Sequence, residues 1–150
     1  MDYTFKKSKS RQLQEWIVGK IRAALPDENI SIFSRLKGDV ASDIEDELSR
    51  TGLAVVVSPY LVQEYADRVV GIVAESGLIA VSVVENVVTN DLEKGDVEIH
   101  ADNLLECIVH AIYDERFEGS IPQFQPVEDA SPESEPVMIL VQKINYRINF

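Results

Sequence analysis

The stretch Leu78-Ile-Ala-Val-Ser-Val-Val-Glu-Asn86 is dense in β-branched residues and reads as the body of a long strand. Arg68 to Ala74 is a second run of the same kind, and Glu75-Ser76-Gly77 between them reads as the turn of a hairpin whose second strand, Leu78 to Val88, is the longer. Upstream, Leu53 to Ser58 is an unbroken apolar run stopped by Pro59, and its lack of alternation implies a central strand covered on both faces. The segment Tyr60 to Asp67 between these runs is open to either strand extension or loop. Downstream, Met138, Leu140, Ile144, Tyr146, Ile148 and Phe150 are apolar at even positions, with only Gln142 polar, while Lys143, Asn145, Arg147 and Asn149 are polar; this is a long final strand, solvated on one face in its second half.

The helices frame these strands. Leu13, Trp16, Ile17, Ile21 and Ala24 recur at helical spacing within Ser8 to Leu25, with Pro26 beyond the end. Ser42 with Glu45 three residues on fits a capping box, and Gly52 stands where a short helix over about 42–50 would stop. Ala101, Leu104, Leu105, Ile108 and Ile112 define a third helix ending near Arg116. A first short strand lies in Asn29 to Ser34, and Asn90 to Glu98 is a polar loop around Gly95. Phe117 to Pro136 carries four of the six prolines and reads as a long extended, partly mobile loop. The expected architecture is α+β: a single mixed or antiparallel sheet with two main helices on one face, plus a short helix and a long loop before the last strand. With 150 residues and 45% apolar content, residues 1–150 make a single domain, with 1–7 as a basic arm.

Charge narrows the partners. The formal charge is −12, with Lys plus Arg 14 against Asp plus Glu 26, which disfavours broad binding to nucleic acid or to anionic membranes. It is unevenly placed: residues 1–25 carry +4, residues 26–136 carry −18 and residues 137–150 carry +2. Such a dipolar chain suits contact between copies of itself or with an oppositely charged partner. The apolar runs are too short to span a bilayer, which takes roughly 20 residues, and no apolar signal core follows the basic start, so export is not expected. A single cysteine, Cys107, forms no internal disulfide and agrees with a reducing compartment.

Chemistry-bearing clusters are few. His100, Cys107 and His110 could share a helix face, but zinc would need carboxylates to complete its shell; the preferred reading leaves Cys107 at the margin of the apolar face and both histidines solvated or capping. Asp91, Glu93, Asp96 and Glu98 alternate around Gly95 without the spacing of a calcium loop. Asp43, Glu45, Asp46 and Glu47 read as the outer face and first turn of the short helix. Glu85 and Asp91 lie at a strand end as two-metal nuclease acids do, yet no lysine completes that motif. No nucleophile elbow or phosphate-cradling glycine loop occurs, so no catalytic residue, cofactor or metal is assigned and the chain is read as non-enzymatic. Lys6, Lys7, Lys9 and Arg11 form a small basic arm able to touch a phosphate or an acidic protein surface.

Leu78 to Asn86 with its V-x-V-x-E pattern, then Asn90, the helix Ala101 to Ile112, the Phe124 to Glu128 segment and the ending Ile144-Asn-Tyr-Arg-Ile-Asn-Phe150 together resemble the tail-terminator and minor-tail proteins of tailed bacteriophages. The resemblance implies a structural role without catalytic residues: a homo-oligomer, such as a hexameric ring, that terminates the tail tube and helps join tail to head. Its implied partners are itself and the tail-tube and head-connector proteins. No sequence-specific nucleic acid and no membrane are implied, though DNA would pass through the lumen, where acidic walls would repel it. The implied location is the bacterial host cytoplasm during assembly and then the virion tail or neck. Candidate contact residues are Tyr60, Leu61 and Tyr65, together with Val137, Ile139 and Val141 on the odd face of the last strand, to be covered by the helices or by a neighbour. Two other functions stay open: a small acidic binding module or DNA-mimic inhibitor of a basic partner, and an enzyme using Cys107 and His110.

Overall fold

The structure is a computed structural model and describes residues 4–25, 29–34, 40–69, 71–90 and 92–149. Helix α1 (Lys9–Ala24) starts where Ser8, in extended conformation, accepts the Arg11 N–H on its hydroxyl at 3.2 Å, satisfying one of the orphan donors of the first turn. Its stripe of Leu13, Ile17 and Ile21 is fully buried. Strand β1 (Ser31–Ser34), helix α2 (Val40–Arg50) and strand β2 (Leu53–Val57) form a strand–helix–strand unit in which β1 and β2 are parallel. All five residues of β2 are buried, as its unbroken apolar run predicts.

Two long strands carry the rest. Strand β4 (Gly71–Asn86) and strand β9 (Val137–Asn149) pair antiparallel over thirteen consecutive positions, from Ala74 opposite Asn149 to Asn86 opposite Val137. The other edge of β4 is shared: β2 takes its second half, and β3 (Leu61–Arg68) takes its first. Among the described residues the sheet has seven strands in one mixed array, with β1 and β2 a parallel pair.

The hairpin expected around Glu75-Ser76-Gly77 is not there. Those three residues run through the interior of β4, and the chain reverses between Arg68 and Gly71 instead, with Tyr60 to Asp67 supplying most of the partner strand. Gly77 marks a close approach, not a turn: a Cβ there would run into the Leu61 carbonyl oxygen and the Tyr60 ring. The turn is served by Gly71, whose φ of 116° no ordinary side chain tolerates.

Helix α3 (Ala101–Tyr113) ends three residues before the expected Arg116 and packs antiparallel to α1, linked by the Lys20–Glu115 ion pair at 3.2 Å. Both helices cover the face formed by Leu53, Val55 and Val57 of β2, Ile79, Val81 and Val83 of β4, and Ile144, Tyr146 and Ile148 of β9. Each aliphatic side chain buried there contributes about 1.5–3 kcal/mol. The short helix α2 lies on the opposite face, where Ala54, Val56 and Val84 are buried and where the Ser31 hydroxyl bonds Glu47.

The long loop 117–136 is stitched along the outer edge of β9. Short strands β7 (Gln123–Phe124) and β8 (Glu128–Asp129) pair with it, and the Gln125 and Ala130 N–H groups donate to the carbonyls of Lys143 and Ile139. The hydroxyls of Ser120 and Ser131 accept from Arg147 N–H and Ile139 N–H. An edge that would otherwise offer open pairing groups is thereby covered. Between β4 and α3, β5 (Glu93–Lys94) and β6 (Val97–Glu98) form a small separate hairpin.

Candidate functional site

Odd positions of β4 face the helices, so Glu85 puts a carboxylate where the pattern calls for an apolar residue. It is 1% exposed. Burial is possible because helix α3 starts beside it with unsatisfied N–H groups and the positive end of its dipole. One Glu85 oxygen, Oε1, accepts the Ala101 N–H at 2.9 Å; the other, Oε2, accepts Asn90 Nδ2 at 2.7 Å and meets His100 Nδ1 at 2.6 Å. Asn90 ties the loop together, donating also to the Ile99 carbonyl at 2.7 Å and accepting from Leu92 N–H at 3.0 Å. Asn103 reaches back over the helix start, accepting the His100 N–H at 2.7 Å and donating to the Glu98 carbonyl at 2.7 Å.

His100 is held between two carboxylates, since its Nε2 lies 2.9 Å from Glu98 Oε2. Both ring nitrogens thus have acceptors. The Glu85 hydrogen bond above all, then that of Glu98, pushes the imidazole up from 6.5 to about 9, against the opposing effect of burial. The ring is a cation at neutral pH, and the buried Glu85 charge is compensated instead of stranded. With both its oxygens engaged, Glu85 clamps a helix start, and no reactive carboxylate is left free there. The V-x-V-x-E run followed by Asn90 was the legible trace of this cluster, but nothing local assigned the glutamate its partners.

The sequence-based candidates separate. His100 forms the N-cap of α3, Cys107 turns to α1 with its Sγ 3.5 Å from the Ala24 carbonyl, and His110, one turn beyond Cys107, borders the groove lined by Leu105, Val109 and Leu140, so the three form no common site among the described residues. Among the described residues no group of three His, Cys, Asp or Glu is arranged to hold a metal ion. Asp91 lies outside the described residues, so its pairing with Glu85 and its part in the loop cluster do too; Asp96 and Glu98 are exposed. On α2, Asp43, Glu45 and Asp46 face solvent, whereas Glu47 turns inward to Arg50 at 2.6 Å and Thr51 at 3.1 Å. Despite its burial, those bonds hold the Glu47 carboxyl below its ordinary value. Of the basic arm, Lys7 pairs with Glu15 at 2.6 Å and Lys9 with Glu118 at 2.5 Å.

The contact candidates divide in the same way. Tyr60 is 2% exposed, packs over Gly77, and its hydroxyl donates to the Tyr146 carbonyl at 3.5 Å; it is a core residue and offers no surface. Burial, and secondarily the charge of Glu75, pushes its phenol up to about 12. Tyr65 is exposed and sits opposite Glu75, on the side of the sheet that carries α1 and α3 but beyond the reach of both. Leu61 sits opposite Leu78 on the other side. Val137, Ile139 and Val141 share that side, opposite Asn86, Val84 and Ser82, and all three are half-buried. The two main helices do not cover them, since both pack on the reverse face. Sequence reasoning missed Val69 and Ile72, which stand exposed at the hairpin end. Only the position of the true turn reveals them.

No helix among the described residues is long and apolar enough to cross a membrane. No protein-family model matches the chain, and no curated protein matches it.

Proposed function

We propose that this chain is a structural subunit that associates with copies of itself, and that it serves as a phage tail or neck protein, building a ring that ends the tail tube and joins it to the head. One observation carries the reading: on the sheet face away from α1 and α3 the side chains of Leu78, Ile139 and Val141 are only half-buried, and Leu61 of the β3–β4 hairpin, opposite Leu78, is exposed. Apolar side chains grouped on an open sheet face, as Leu61 with Leu78 and Ile139 with Val141 are, are a feature of protein contact surfaces. The Glu85 clamp and the stitched loop suit a part whose work is geometric, because they hold the elements rigidly instead of leaving a reactive group accessible. The exposed acids Asp43, Glu45 and Asp46, placed toward a lumen, would repel passing DNA.

The test is sedimentation of the full chain beside Val141→Glu. The wild type should self-associate as concentration rises, and the variant should stay monomeric while keeping the same circular-dichroism melt. A wild-type chain that sediments as a monomer up to its solubility limit refutes the reading. So does an oligomer indifferent to a charge on this face, as far as the face is concerned.

A further inference from the structure

We infer that Glu75 is a proton-operated latch for the β3–β4 hairpin: with its carboxyl neutral the hairpin lies closed on the sheet, and with the carboxyl ionised β3 parts more readily from β4, so that water reaches the charge. The latch belongs to the single chain and stands whether or not copies associate. Among the described residues three glutamates are buried, and two of them have partners. Glu47 bonds Arg50 and Thr51, and Glu85 bonds Ala101, Asn90 and His100. Glu75, only 8% exposed, has no hydrogen bond or ion pair among the described residues.

A carboxylate withdrawn from water without a partner is disfavoured in its charged form, and burial pushes the Glu75 carboxyl above its ordinary value of 4.5. Its surroundings offer phenols instead of cations. Tyr65 stands opposite it on β3 and Ile148 opposite it on β9. Burial first, then the charges of Glu75 and Tyr65, raises the Tyr60 phenol, which places these three groups together. Tyr146, two positions along β9, carries a phenol that burial also pushes up. At the start of α1, Ser10 donates to the Tyr60 carbonyl at 2.7 Å, while Lys9 is already paired with Glu118.

Opening is local because β3 is lightly held. It pairs with β4 alone, two register shifts interrupt that ladder, and most of its residues are exposed. It can leave while β4 stays paired with β9 and the core under the helices stays intact. The folded carboxyl holds its proton more tightly than the open one, so the closed hairpin is favoured in acid and loses that support as pH rises through the folded value.

The test is amide hydrogen exchange of the full chain, read residue by residue by NMR from pH 5 to 6.5 and corrected for intrinsic rates, with the Glu75 side-chain carboxyl carbon titrated alongside. This range lies below the loss of the His100 contribution to α3. The carboxyl should titrate above 4.5, and protection of the β3 amides bonded to β4 should fall with rising pH while the α3 amides hold. At pH 6.5 Glu75→Gln and Glu75→Met, which keep the length without the charge, should exceed the wild type in β3 protection by about tenfold for each pH unit that the carboxyl is raised. A Glu75 carboxyl that titrates at or below 4.5 overturns the latch. So does β3 protection that is flat with pH in the wild type, or that falls equally in both variants. Loss by the same factor in β3 and α3 makes the effect global and overturns the hairpin as its seat. Should either variant fail to fold, the wild-type titration and exchange profile decide the matter alone.

Discussion

Replacing Glu85 with Gln tests the clamp at the start of α3. The exchange keeps the shape but removes the charge and turns one of two acceptor oxygens into a donor. Because Ala101 N–H, Asn90 Nδ2 and His100 Nδ1 all face the carboxylate, either orientation of the amide points N–H at a donor. In a site 1% exposed, the loss of such a buried, charge-assisted set costs about 3 kcal/mol. The pH dependence has a definite sign. His100 titrates at about 9 in the folded chain against 6.5 unfolded, so its contribution is fully present below about 6.5 and is lost as pH rises through 9. The bare shift would amount to roughly 3 kcal/mol, but the side chain is 45% exposed and solvent screening brings the expected loss nearer 1–2 kcal/mol. Urea unfolding at pH 6, 7.5 and 9.5 reads both effects, and an NMR titration of the His100 ring reads its proton directly. In the variant the ring should titrate lower, with only Glu98 left to hold the proton, and the fall in stability above pH 7 should shrink. A variant within about 0.5 kcal/mol of wild type, or a wild-type stability flat from pH 6 to 9.5, would show that the carboxylate does not anchor the helix.

Two further substitutions probe the packing beneath the hairpin. Gly77→Ala places a methyl group against the Leu61 backbone and the Tyr60 ring, and should cost about 2–4 kcal/mol in chemical denaturation; a turn at this position would tolerate it with little change. Tyr146→Phe removes a buried hydroxyl that finds no hydrogen-bond partner among the described residues, so thermal melting should be unchanged or raised by roughly 1 kcal/mol, and a loss of more than that would reveal a partner for the hydroxyl.

Gly77 also shows where local reading stops. A glycine between two β-branched runs carries the same local signature whether it turns the chain or makes room for a ring, and only Tyr60, 17 positions back, distinguishes the two. The same limit hid the β3–β4 hairpin end, with its exposed Val69 and Ile72, and placed Tyr60 among surface residues when it belongs to the core. The extended loop was legible from its prolines, but its attachment to β9 was not, because backbone donors such as Gln125 and Ala130 leave no trace in side-chain pattern. The candidate contact face was half legible: the apolar Val137, Ile139 and Val141 stood out against the polar residues that follow them, while the choice of face covered by α1 and α3 depended on packing.

The sequence by itself determined the three helices, the strands β1, β2 and β9, the α+β class, the burial of β2 and the acidic body between basic ends. These follow from periodicity, caps and charge, which act over a few neighbouring residues or add along the chain. Tertiary structure alone decided that β4 runs unbroken beside β9, that Glu85 is the seat of α3, and that one sheet face is left partly open. Each depends on groups far apart in the chain meeting in space, where a carboxylate can be buried only because a helix end and a histidine arrive to compensate it.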